Sequence, residues 1–216
     1  MIARLAFALT VIPFGLLLHV ARQPLNGLDM AVAHDLHAHA VANPAWTRLM
    51  AFWTDALGPA TWRVVVVGVA AWLAWRGAPL AAGWALITTV AGGLLGEGLK
   101  LLIDRARPIF PDPVSSAPGL SFPSGHALAA TLGAGVLVLL ARPALRGRPL
   151  LTALAWTAAA LLALSVSYTR VALGVHWVSD VVGGMLLGVA VLAVSVLAFK
   201  PVRRRRSRAT AHALSP

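Results

Sequence analysis

The chain has 216 residues, 59% of them hydrophobic and 12% charged, with a mean hydropathy of +0.80. Soluble domains carry about 25% charged and about 45–50% apolar residues, so this is the composition of an integral membrane protein, and lipid, which cannot satisfy an open sheet edge, dictates helices. Without cysteine there are no disulfides or thiolate metal sites, and the net charge of +11 does not indicate nucleic acid, because six of the 18 Lys and Arg lie within residues 200–208 beside an apolar run, the setting of a juxtamembrane cluster held against anionic lipid.

In chain order, residues 2–20 are apolar and about long enough to span. Arg4 precedes the run, but no small-residue cleavage site follows it, so a retained helix is expected rather than a signal peptide. Residues 21–60 are mixed and read as two short interfacial helices, the second carrying Trp46, Phe52 and Trp53. His34 and His37 share a helical face but His39 lies off it, so these are expected as solvated or interfacial histidines rather than metal ligands. Residues 61–75 form the second span, with Trp62, Trp72 and Trp75 as interface anchors. Residues 80–103 form the third, where Gly92, Gly93, Gly96 and Gly98 permit close helix approach.

Four prolines then make residues 107–120 a rigid, non-helical loop. Residues 124–140 are the fourth span, followed by a basic turn with Arg142, Arg146 and Arg148; residues 150–168 are the fifth span and 176–199 the sixth. The expected fold is all-α, a polytopic bundle of six transmembrane helices in one domain over residues 1–200, with a basic, disordered cytoplasmic tail at 201–216. With both ends in the cytoplasm, 11 basic residues fall inside and seven outside, the direction the positive-inside rule requires.

Charged groups near lipid need a reason, since one at mid-bilayer costs about 2.5–3.5 kcal/mol even on insertion scales. Glu97, Lys100, Asp104 and Arg107 are spaced as one helix face, which makes either a salt-bridge ladder or a pair of cations converging on an anion. Ser124 suits a helix N-cap, whose free N–H groups attract phosphate, and His126 places an imidazole at the same point. His176 and Asp180 are four apart: either a structural pair, or a carboxylate fixing one ring nitrogen and leaving the other as a nucleophile. Arg170 stands just ahead of them. The topology brings all these stretches to the outer side of the membrane.

Lys100 with six residues to Arg107-Pro108, then Pro123-Ser124-Gly125-His126, then Arg170 with five residues to His176 and three more to Asp180, resembles the three-part signature of the type 2 phosphatidic acid phosphatase (lipid phosphate phosphatase) superfamily. One departure is Thr169, where the family often has Ser. The resemblance implies that His176 attacks phosphorus to give a phosphohistidine, Asp180 orients it, and His126 protonates the leaving oxygen and then activates water. It implies that Lys100, Arg107, Arg170, Ser124 and the backbone of Gly125 and His126 hold the phosphate, with no metal and no cofactor. The function it implies is hydrolysis of a lipid phosphate or diphosphate, of undecaprenyl diphosphate, phosphatidate or phosphatidylglycerol phosphate type, at the outer face of the cell membrane. The competing readings are a phosphotransferase using the same intermediate and a non-catalytic lipid-binding or transport protein. The residues carry no statement of oligomeric state.

Overall fold

A computed structural model describes residues 27–213, with 11–12, 15–16 and 18–19 as short helical pieces; side chains are described through Phe199. The predicted first span therefore lies mostly outside the described residues. Within them are seven helices and no strand: α1 Leu28–Ala42, α2 Pro44–Ala56, α3 Pro59–Trp75, α4 Pro79–Ile103, α5 Gly125–Ala141, α6 Pro149–Ala172 and α7 Val178–Ala213. Proline begins α2, α3, α4 and α6. Its preset φ suits the first helical turn, and the N–H it lacks has no partner there anyway.

By length and hydropathy, four stretches can cross a membrane: Pro44–Trp75, Pro79–Ile103, Pro149–Ala172 and Val178–Phe199. The apolar α5 has 17 residues. Two short helices, α1 and α2, occupy residues 28–56, where two interfacial helices are expected. Only Leu57 and Gly58 separate α2 from α3, so the two make one apolar stretch of 32 residues. Val64, Val67, Ile87, Leu94 and Leu101 are exposed on the bundle's outer surface. Such residues are at home against lipid tails.

The centre of the bundle is α5, packed on α3, α4, α6 and α7. Lipid removes most of the hydrophobic drive between helices, so close approach through small residues becomes the main source of contact. Gly92 and Gly96 of α4 give room to Leu132 and Leu128, while Gly135 of α5 admits Leu192 of α7. Gly93 and Gly98, predicted to join them, face open space instead. Trp62 also departs from expectation. It is 8% exposed, in the core against Gly133, because α3 turns that face inward; Trp72 and Trp75 are exposed.

The long charged face predicted through Arg107 is cut short. Helix α4 ends at Ile103, Asp104 takes a left-handed conformation (φ 51°), and Lys100 and Arg107 do not share a helix. The chain from Asp104 to Ser124 thereby folds over one end of the bundle. That end also holds the last turn of α6 and the first turns of α5 and α7, whereas the Arg76–Gly77 and 142–148 turns lie at the other.

Gly184 of α7 is where this end is most tightly closed. A Cβ there would stand 2.5 Å from the Ser124 carbonyl oxygen. Gly184→Ala should lower stability by about 1–3 kcal/mol, whereas Gly68→Ala, with nothing within 4 Å, should be neutral or slightly stabilising in a helix interior. Thermal melts of the detergent-solubilised protein read both.

Candidate active site

The site is assembled around one carboxylate. Asp180 is fully buried in the first turn of α7. Its Oδ2 accepts from the Trp177 backbone N–H (2.8 Å), the Ser121 hydroxyl and His176 Nδ1 (3.3 Å). Its Oδ1 accepts from Arg105 Nη1 (2.8 Å). Its backbone carbonyl accepts from the Ser124 N–H (3.0 Å), which joins the start of α5 to the start of α7.

The His–Asp pair forms, but not as two neighbours on a helix face. His176 lies ahead of α7, which begins at Val178, and the Asp180 carboxylate reaches back to it across the connecting loop. The sharp turn at Gly174 (φ +67°) makes this possible. A left-handed residue is costly for any side chain but glycine, and a Cβ there would press on Phe110 at 3.0 Å. With Nδ1–H donated to Asp180, the Nε2 lone pair of His176 is left to the other side, where it accepts from Arg107 Nη1 at 3.0 Å.

Arg107 is otherwise committed to backbone. Nε donates to Gly119 O (2.9 Å), Nη1 also to Val175 O (2.7 Å), and Nη2 to Pro118 O and Leu120 O (3.0 Å each). All five of its N–H bonds have partners, so this side chain staples the proline loop down beside His176. Burial pulls its pKa below the ordinary arginine value, opposed by Asp180.

The remaining predicted residues converge from three helices. Ser124 holds the N-cap position of α5, but its side chain makes no cap bond and its buried Oγ has no partner. Arg170, 6% exposed in the last turn of α6, donates from Nη1 to Thr54 of α2 (3.3 Å), and its buried Nε has no partner. Lys100 of α4 pairs with Glu97 (2.8 Å), with Nζ close to Gly125: a Cβ on that glycine would lie 3.8 Å from it. His126 is partly buried, with Nε2 facing Gly58 between α2 and α3, in electrostatic reach of Arg170, His176, Arg107 and Lys100.

Three participants were not picked out from sequence: Ser121, Arg105 and Asp29. Ser121 and Arg105 lie inside or beside the motif stretches, and a polar side chain within two residues of a signature position is the signal that marks them. Asp29 carries no local signal; only the fold brings α1 to this end. Of the histidines of α1, His34 and His39 are exposed as expected and His37 is not. His37 is buried and stacked on Phe110 (3.9 Å between centroids), with His34 edge-on to the same ring at 5.4 Å. His39 meets Trp46. Among the described residues no group of three or more His, Asp and Glu could hold a metal ion.

The family model of the PAP2 superfamily matches residues 81–204. An undecaprenyl-diphosphatase of Sulfolobus acidocaldarius is 34% identical over 126 residues, 55% of this chain and 56% of that protein. Phosphatidylglycerophosphatase B of Bacillus subtilis is 39% identical over 98 residues, 44% of this chain and 46% of that protein. The chain thus spans about half the length of these curated relatives. The crystal structure of a transmembrane PAP2 type phosphatidylglycerolphosphate phosphatase from Bacillus subtilis superposes with a TM-score of 0.77 at 24% identity, over 92% of this chain and 96% of that one. At that identity the likeness is one of fold.

The environment of His176 has a consequence for stability. Burial is the largest influence and depresses the imidazole from 6.5 to about 4; Asp180 opposes this, while Arg107 and Arg170 add to it. The folded protein then binds fewer protons here than the unfolded chain, so stability is lost as pH falls from 6.5 towards about 4. The loss should be about 3 kcal/mol. His176→Gln should flatten this part of a pH series of denaturation midpoints.

Proposed function

The chain belongs to the PAP2 superfamily, and we propose that it is a membrane phosphatase that hydrolyses a lipid phosphate or diphosphate through a phosphohistidine on His176. The observation that carries this reading is a contrast within one site. Asp180 and Arg107 are fully partnered, whereas two buried polar atoms beside them, Ser124 Oγ and Arg170 Nε, have none. Buried polar groups are almost always satisfied, so a hydroxyl left open at a helix start, with a second open donor on Arg170, fits a phosphoryl group.

In the first step the Nε2 lone pair of His176 forms the P–N bond while the bond from phosphorus to the leaving oxygen breaks. His126 gives its proton to that oxygen. Arg107 Nη1–H, now on Nε2, turns to an equatorial phosphoryl oxygen and so frees the lone pair. Asp180 keeps Nδ1–H in place and balances the positive charge the ring acquires. Lys100, Arg107 and Arg170, with Ser124 and the first N–H groups of α5, meet the charge spread over the equatorial oxygens. In the second step His126 takes a proton from water, water attacks phosphorus, and the P–N electrons return to Nε2.

Three cations carry the charge that a divalent ion would supply elsewhere, which supports turnover without metal. The names of the relatives make undecaprenyl diphosphate and phosphatidylglycerol phosphate the first substrates to try, with phosphatidate. The basic distribution favours cytoplasmic termini and an outward-facing site in the cell membrane, with the tail against anionic lipid.

Phosphate release by the purified protein should therefore occur with at least one of these lipids in EDTA. His176→Ala should lower kcat by about a thousandfold or more. No release with any lipid phosphate, or unaltered release by His176→Ala, would sink the reading. Loss on chelation would remove metal independence alone, and transfer to an alcohol without release would make the protein a phosphotransferase.

A further inference from the structure

Arg105 is shared between two carboxylates. Its Nη1 donates to Asp180 Oδ1 and its Nη2 to Asp29 Oδ2, each at 2.8 Å. The three groups are withdrawn from solvent together, with Asp29 at 2% exposure, Asp180 at 0% and the Arg105 side chain at 11%. Asp29 also accepts from the Ser179 N–H (2.9 Å) and hydroxyl (2.6 Å), so the first turn of α1 is fastened to the first turn of α7. The guanidinium also lies 5.7 Å from the Trp177 ring.

The charges have a definite sum. Arg105 against Asp180 alone would make a neutral pair, and a cationic ring on His176 would face no net counter-charge. Asp29 restores it: two carboxylates and one guanidinium leave one negative charge in a place where water cannot screen it. We propose that Asp29 and Arg105 are positioning residues of the site, Asp29 cancelling Arg105 so that Asp180 meets His176 as a full anion. For catalysis this rests on the reading of His176 as nucleophile; for the electrostatics it rests on the geometry alone. The groups facing His176 are Asp180 and Ser121 at Nδ1 and Arg107 at Nε2, with Arg170 and His126 in electrostatic reach. All are left in place by the substitutions below.

The test is a charge cycle on the full chain in detergent: wild type, Asp29→Asn, Arg105→Gln and the double variant. Two readouts are taken, NMR titration of the His176 ring, assigned with His176→Gln, and kcat and KM for a lipid phosphate. Asp29→Asn removes a negative charge, so the ring should titrate about one pH unit lower and kcat should fall about tenfold with KM little changed. Arg105→Gln removes a positive charge, so the titration should move up. The double variant should titrate as wild type does. Both singles shifting in the same direction, neither shifting, or no recovery in the double variant would overturn the inference. If Arg105→Gln does not fold, Arg105→Lys replaces it and should leave the titration in place while Asp29→Asn still lowers it; a drop of equal size in both would be contrary. A wild type that titrates as described yet releases no phosphate would overturn the proposed function and not the charge relation.

Discussion

A carboxylate with no exposure to solvent is the constraint on which this end of the molecule depends. Moving a carboxylate out of water costs several kcal/mol unless donors replace the water, and removing one partner of a buried pair costs about 3–5 kcal/mol. Asp180 meets that demand with Ser121 and Arg105 from the segment between α4 and α5 and with His176 and the Trp177 N–H from the connection to α7, while its backbone carbonyl separately takes the Ser124 N–H at the head of α5. Each donor is also a fixed point of the site. The desolvation of one group thereby determines the relative placement of α1, α5, α7 and the loop, and with them the tautomer of His176.

The division between satisfied and unsatisfied groups gives the site its character. The scaffold is over-determined, with every N–H of Arg107 used and both oxygens of Asp180 taken. Ser124 Oγ and Arg170 Nε are left without partners. Polar groups held in place by their surroundings, rather than reorganised when charge develops, are the most effective electrostatic stabilisers of a transition state. A membrane bundle suits this arrangement. Its small-residue contacts hold α4, α5 and α7 close, and Gly184 brings α7 against the Ser124 carbonyl that begins α5.

Much of this was legible in the residues. Apolar runs mark the helices, because in lipid the backbone has one local way to satisfy itself. The helices expected at 61–75, 80–103, 124–140 and 150–168 reappear within a few residues of those bounds, as α3, α4, α5 and α6, and the sixth expected span, 176–199, reappears as the apolar stretch Val178–Phe199 of α7. The motif residues also come to one end of the bundle. What spacing could not give was conformation at helix ends. Asp104 and Gly174 are left-handed, so Lys100 with Arg107 and His176 with Asp180 are not the helical neighbours their intervals suggest. Nor could spacing reveal partners from distant chain. Asp29 lies 151 positions before Asp180 in the sequence, and no local pattern ties α1 to Arg105. Trp62 shows the same limit: a tryptophan near a span end reads as an anchor, and only packing against Gly133 places it inside.

The claim that His176 is the attacking group is tested most directly by trapping the enzyme during turnover of a radiophosphate-labelled lipid and locating the label. The expected product is a phosphoramidate, stable to alkali and lost in acid, on the peptide that carries His176 and absent from His176→Ala. Label on another residue, or label retained by His176→Ala, would contradict it.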